Sequence, residues 1–248
     1  KFQLTIINDG LGSVSKTVIK SGAAEYTDGS VVYNKNHTVM PNGTGLWGHN
    51  SSAQSAIIVR KPGSSTIYYI FTIDGYTGWD QGLNYSEVDM SLDGGLGDIT
   101  SNKNISLIQF AGEKVTAIRH DNGSDFWIVA RADYSTEFQS FLLSSNGVDN
   151  TPIISNALSY KGATSGHLRA SKDGSKIAVC YAWAWQQLEI YDFDNQNIEI
   201  KELPTVPSCF SYFNSPSTTW LNVDGLRNNS TLKSLDLTDC RELKNIDG

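Results

Sequence analysis

Cysteine is scarce in this chain of 248 residues. There are three, Cys180, Cys209 and Cys240, widely spaced and odd in number, which excludes a disulfide framework and a C-x-x-C metal motif. One Cys209–Cys240 bridge stays open for an exported chain, beside the reading of three buried thiols packed as small hydrophobes. Long apolar runs are lacking too. None approaches the roughly 20 residues of a membrane-spanning helix, so no membrane insertion is expected. There is no basic run. The net charge is −7 and the sequence pI is near 5.0, and such an acidic surface repels phosphates, which excludes nucleic acid as a partner. Only 18% of residues are charged against 39% hydrophobic, a globular balance rather than a disordered one. Helical periodicity is nearly absent. The chain opens at Lys1 in a strand-like run, with no signal-peptide pattern, and reads as a mature or excised piece of a longer precursor.

Catalytic motifs are missing as well. The histidines, His37, His49, His120 and His167, form no H-x-x-x-H or H-E-x-x-H pair, and no G-x-S-x-G elbow occurs. Neither a metal site nor a nucleophile triad has local support.

What is present is alternation punctuated by turns. Twenty-two glycines, many in Asn-Gly and Asp-Gly pairs, predict short strands. Strands are expected at Gln3–Asn8, Val14–Lys20 and Asp28–Asn34. Residues 34–54 look irregular, with Pro41-Asn42-Gly43 and Gly45-Leu46-Trp47-Gly48.

From 55 to 203, twelve strand candidates fall into three groups of four. The first is Ser55–Arg60, Ile67–Ile73, Asn84–Ser91 and Ile105–Phe110. The second is Val115–His120, Phe126–Arg131, Phe138–Leu143 and Thr151–Ser155. The third is His167–Ser171, Lys176–Trp183, Gln187–Phe193 and Asn197–Leu203. Each group has a Gly turn after its first strand and an aromatic-rich second strand. A second strand buried on both faces between neighbours reads as one apolar run. Four-stranded units recurring in this way mark a β-propeller. The fold class expected is all-β: a propeller-like array of about three four-stranded antiparallel blades, unclosed, with a short leucine-rich-repeat tail.

The tail, Leu232-x-x-Leu235-x-Leu237-x-x-Cys240-x-x-Leu243, fits the leucine-rich-repeat consensus. Pro204, Pro207 and Pro216 mark a linker. The domains expected are 1–34 as a partial β-repeat, 35–203 as the propeller-like domain, 204–219 as linker and 220–248 as a leucine-rich-repeat fragment. Three blades leave apolar outer faces. Strands 3–34 or the tail are expected to fold over one, or two chains to self-associate through it.

Asp173-Gly174 suits a tight turn better than the S-x-D-x-G-x-x-W box of propeller glycosidases. The run Asp192, Asp194, Asn195, Asn197 fails the spacing of a calcium hand. Asp89, Asp93 and Asp98, interleaved with Gly94, Gly95 and Gly97, are weak calcium candidates, and a plain glycine-rich loop is the simpler reading. No other cofactor is expected. Glu87 and Asp89 share one strand face and could act as a glycosidase pair only with a partner the sequence does not place. Trp47, Tyr76, Trp79 and Trp185 lie in or near loops, where rings stack on sugars, and are the candidate binding residues. Trp127 and Trp183 fit blade packing.

The segments TVMPNGTGLWG, QSAIIVRKPGSSTIYYIFTID, YSEVDMSLDGGLGDIT, EKVTAIRHDNGSDFWIVA and ASKDGSKIAV resemble the propeller region of large surface proteins of gliding-type bacteria, over about residues 31–203. That family is exported by the type IX route, so the resemblance implies a secreted or cell-surface location. LTIINDGLGSVSK and YTDGSVV resemble an internalin-type bacterial repeat, and the tail resembles the leucine-rich repeats of surface adhesins. Together these imply a non-catalytic binding or scaffold module, with a glycan or a surface protein as partner. The alternative is a propeller-type carbohydrate-active enzyme, a glycosidase or lyase. A cluster of three or more carboxylates would favour the enzyme.

Overall fold

A computed structural model describes residues 26–75, 81–157, 165–181, 187–196 and 198–202. Among them the only helical element is the single turn Asp93–Gly95, and no helix is long and apolar enough to cross a membrane. Everything else regular is antiparallel strand. The expectation of an all-β, propeller-like array is met.

Three sheets correspond to the three groups of strands. The first blade contains β4 (Ala56–Arg60), β5 (Ile67–Ile73), β6 (Leu83–Asp89) and the two-residue β7 (Asp98–Ile99), with β8 (Ile105–Ile108) also pairing β6. In the second, β9 (Ala111–Arg119), β10 (Phe126–Ala132) and β11 (Glu137–Ser144) pair in order, and β11 carries both β12 (Gly147–Val148) and β13 (Ile153–Asn156). The third runs β14 (Leu168–Ala170), β15 (Lys176–Tyr181), β16 (Gln187–Asp194) and β17 (Glu199–Glu202).

The turn after each first strand has one design. Gly63, Gly123 and Gly174 occupy it at φ 75°, 75° and 73°, a left-handed conformation that costs glycine nothing. In the third blade Asp173 tightens the turn by accepting from Ser171 Oγ at 2.6 Å and Ser175 N at 3.1 Å. These bonds hold its carboxyl down at about 2. Asp173-Gly174 is a turn, as its sequence suggests.

The second strands β5 and β10 are buried along nearly their whole length because a sheet lies against each face. Tyr69, Phe71, Ile128 and Phe141 pack together between the first and second blades. Trp127, Val129, Phe138, Ile177, Val179 and Tyr191 do so between the second and third. Trp127 is a packing residue, its Nε1–H donating to Asn195 O at 3.2 Å.

A fourth, smaller sheet contains β1 (Tyr26–Thr27), β2 (Val31–Tyr33) and β3 (Val39–Thr44). Residues 34–54 were expected to be irregular, and β3 corrects that. Pro41 and Gly43 are tolerated because β3 is the edge of its sheet, with β2 its one strand partner. Side chains of the first blade hold the other edge. Asp98 accepts from Asn42 N at 2.8 Å and Asn42 Nδ2 at 2.7 Å, and Lys103 Nζ donates to Asn42 O at 3.0 Å. Val32, Met40 and Leu46 cover Tyr68, Ile70, Val88 and Ile99 on the free face of the first blade. Each apolar side chain so buried is worth roughly 1.5–3 kcal/mol. This face is thus covered by β2, β3 and Leu46, and of the covering side chains only Val32 belongs to the segment 3–34 expected to supply the cover. Strands Gln3–Asn8 and Val14–Lys20, the linker and the leucine-rich tail lie outside the described residues, as do Cys209 and Cys240. Cys180 is half-buried.

The first strands of the three blades start side by side. Buried Gln54, just before β4, shows this: its Oε1 accepts from Val115 N at 3.3 Å and Leu168 N at 2.8 Å, and its Nε2 donates to Leu168 O at 3.3 Å. One amide thus links the approach to β4 with the middle of β9 and the first residue of β14.

Candidate active site

Beside this junction the second blade carries charge into the interior. Glu113 and Lys114 lie near the start of β9, and Arg131 and Asp133 lie at the end of β10, which runs antiparallel to it with Ala132 opposite Ala111. Lys114 is only 1% exposed. A buried ammonium needs compensation, and several groups supply it. Its Nζ sits 4.8 Å from the centroid of the Tyr181 ring, an attractive cation–π position. The carboxylates of Glu113 and Asp133 also favour its charge. Burial, followed by repulsion from Arg131, outweighs them and pushes the Lys114 ammonium down to about 8.

Glu113 also fastens the blades. Its Oε2 accepts from Ala53 N at 2.9 Å, ahead of the first blade, and from Ser165 Oγ at 3.2 Å, ahead of the third. Half-buried Asp133 is displaced the other way from Lys114. Burial raises its carboxyl above the usual range, against the opposing pull of the Tyr134 N–H and of Lys114. Asp133 N donates to Phe110 O at 2.9 Å, closing the blade end around it.

Arg131 and Glu189 complete the cluster. Glu189 Oε2 accepts from Tyr181 OH at 2.7 Å and Tyr191 OH at 2.5 Å, and lies 3.5 Å from Arg131 Nη1. Arg131 Nη1 also donates to Tyr181 OH. Tyr181 therefore touches both halves, its ring under Lys114 and its hydroxyl between Arg131 and Glu189. Gly166 leaves the room required: a Cβ there would lie 2.1 Å from Cys180 O and 3.2 Å from Lys114 Cε, at φ 128°. Chemically, the arrangement offers a lysine that releases its proton near neutrality and a carboxyl that retains one more readily than usual. Environments that push two groups in this way mark acid–base partners.

The residues singled out from the sequence are placed elsewhere or not described. Trp47 is exposed at 43%, its backbone N–H donating to Asn104 Oδ1 at 3.1 Å. Tyr76, Trp79 and Trp185 lie outside the described residues. The calcium candidates serve as local hydrogen-bond acceptors. Asp89 accepts from Ser91 N at 2.8 Å and Ser91 Oγ at 2.7 Å, which lowers its carboxyl below the usual range, and Asp98 is engaged with Asn42. Asp93 is exposed on the turn Asp93–Gly95. Among the described residues no group of three His, Cys, Asp or Glu is placed to hold a metal ion. Glu87 accepts from Tyr69 OH at 2.9 Å and Thr100 Oγ1 at 3.0 Å.

The cluster escaped the sequence because its members are spread from 113 to 189. The strand expected at Val115 begins at Ala111, which put Glu113 and Lys114 in a turn on paper and in the interior in fact. The usable signal was FWIVARAD, an apolar run closing on two charges at a blade end.

No family model matches the chain, and no curated protein matches it. Among solved structures it is similar to a putative 6-phosphogluconolactonase from Bacteroides uniformis ATCC 8492, with a TM-score of 0.45 and 14% identity over 79% of this chain and 54% of that one. It is also similar to one from Bacteroides fragilis NCTC 9343, with a TM-score of 0.43 and 13% identity over 80% and 55% of the two chains. The chain thus spans about half the length of each. Both carry an enzyme's name, and the expectation of a non-catalytic binding or scaffold module without enzyme activity is corrected accordingly.

Proposed function

We propose that this chain is part of a propeller-type enzyme acting on a carbohydrate by hydrolysis or elimination, with Lys114 as general base and Asp133 as general acid. The observation that carries the reading is the packing of buried Lys114, its Nζ 4.8 Å from the Tyr181 ring centroid, with Glu113, Arg131 and Asp133 at the paired ends of β9 and β10; burial brings the lysine down to about 8 and raises the Asp133 carboxyl. At pH 7 to 8 roughly a tenth to a half of such lysines are neutral and able to take a proton, from water in hydrolysis or from carbon in elimination. Asp133, whose carboxyl burial raises above the usual range, is the group placed to pass a proton to the departing oxygen when it carries one. Glu113, Arg131 and Glu189 hold the pair between blades. The sugar class is supported by the exposed aromatic residues at this end of the second blade. The proposal includes a secreted or cell-surface setting, supported by a sequence whose polarity comes from Ser, Thr, Asn and Gly more than from charge.

The test is turnover by the purified chain on three panels: aryl glycosides, sugar lactones including 6-phosphogluconolactone, and uronate oligosaccharides. One panel is expected to react. Lys114→Met is expected to lower kcat about 10²–10⁴-fold and to abolish the arm of the pH profile near 8, with circular dichroism unchanged. Asp133→Asn is expected to lower kcat as well. Inertness on all three panels, or full activity in Lys114→Met, refutes the reading.

A further inference from the structure

The polar cluster is buried, but two large aromatic side chains next to it are not. Phe110 is 54% exposed and Tyr134 is 63% exposed. They come from different connections: Phe110 ends the link from β8 to β9, and Tyr134 follows β10. The bond from Asp133 N to Phe110 O brings the two connections together, so Asp133 has Tyr134 as its chain neighbour and Phe110 as its neighbour in space. Burying rings of this size would be favourable, yet both are left in water at the blade end nearest the acid–base pair.

The backbone holds Tyr134 deliberately. Its φ is 52°, a left-handed conformation that is uncommon for a bulky residue and costs about 1 kcal/mol or more. Asp133 Oδ1 accepts from Tyr134 N at 2.9 Å and fixes the turn. One carboxyl group is thus both the candidate acid and the anchor of the neighbouring ring.

We infer that Phe110 and Tyr134 form a stacking platform for a neutral pyranose ring, which seats the sugar to be cleaved over Asp133. Sugar rings present axial C–H faces that pack on aromatic faces. The −7 net charge disfavours a polyanionic chain as ligand. The platform's place in catalysis rests on the function proposed above, while its binding of sugar can be measured without it.

Binding is therefore tested first in the Lys114→Met background, by calorimetry with cellohexaose, laminarihexaose and mannohexaose as probes. At least one probe is expected to bind. Phe110→Ala and Tyr134→Ala are each expected to weaken it by about 5–30-fold, while Tyr134→Phe, which keeps the ring, stays within about twofold. In the active chain the alanine variants raise KM by a similar factor with the pH profile of kcat unmoved. Failure of all three probes to bind at millimolar concentration, or alanine variants that bind like the parent, overturns the platform. Ring-dependent binding without turnover on any panel upholds the platform and refutes the acid–base assignment.

Discussion

Replacing Glu189 by leucine is the most direct probe of the buried network. The change removes the carboxylate that accepts from Tyr181 OH and Tyr191 OH and faces Arg131 at 3.5 Å. The Arg131 guanidinium stays buried, still near the Phe138 and Tyr181 rings and still bonded to Ser135 O, but without Glu189 opposite it. Breaking a buried pair in this way costs about 3–5 kcal/mol, a large part of the roughly 5–15 kcal/mol of a whole domain. With a urea slope of about 2–3 kcal/mol per molar, the midpoint should fall by roughly 1–2.5 M. Arg131→Met combined with Glu189→Leu removes both charges and should recover most of the loss, since apolar replacement of an entire buried pair is often neutral or better. Urea titration followed by tryptophan fluorescence, run as a double-mutant cycle, measures both quantities. A single variant costing under about 1 kcal/mol, or a double variant no better than the single, would refute the view that Arg131 and Glu189 are coupled.

Four further outcomes are expected. Phe141→Ala, buried between the first two blades, should cost about 3–5 kcal/mol by urea unfolding. Gly166→Ala, with a Cβ 2.1 Å from Cys180 O, should lower Tm far more than Gly94→Ala, which meets nothing within 4 Å and costs about 1–2 kcal/mol for its left-handed backbone alone. Asp98→Ala frees Asn42, so trypsin should cut after Lys35 faster, read by mass spectrometry. Lys114 binds its proton less readily when folded than when unfolded, so its burial penalty is present in full below about 8 and is relieved as pH rises to 10.5; replacing it by methionine should flatten the gain in urea midpoint between pH 8 and 10.

The first two blades were legible because their second strands, β5 and β10, combine length with burial on two faces, while β15 of the third shows the alternation of a strand buried on one face. The strand β5 matches the expected Ile67–Ile73 residue for residue. The two-residue strands β7 and β12 were not legible, since so short a pairing has no periodicity to detect. Pro41 hid β3 because a proline reads as a breaker unless the strand is known to be an edge. The candidate site was hidden for another reason. Charged residues read as solvent-facing until a second blade is known to close over them, and Lys114 meets Tyr181 only after the second and third sheets have stacked. The aromatics chosen from the sequence, Trp47, Tyr76, Trp79 and Trp185, lie in or near loops, whereas the exposed rings beside the cluster are Phe110 and Tyr134, at strand ends where an apolar residue is ordinarily counted as core.

The amide of Gln54 sets a clock on the growing chain. Its Leu168 partner is 114 residues further on. At synthesis rates of about 5–20 residues per second, the entry strand of the first blade waits roughly 6–23 s for that bond. Until then the polar atoms of Gln54 can be served by water or, from Val115 onward, by the second blade alone. The first blade can form its hairpins early from local contacts, but the seam joining it to the third is a late, non-local event of the kind that slows folding. A ribosome stalled before residue 168 would therefore hold a chain whose blades are stacked in sequence and still unlatched at their centre.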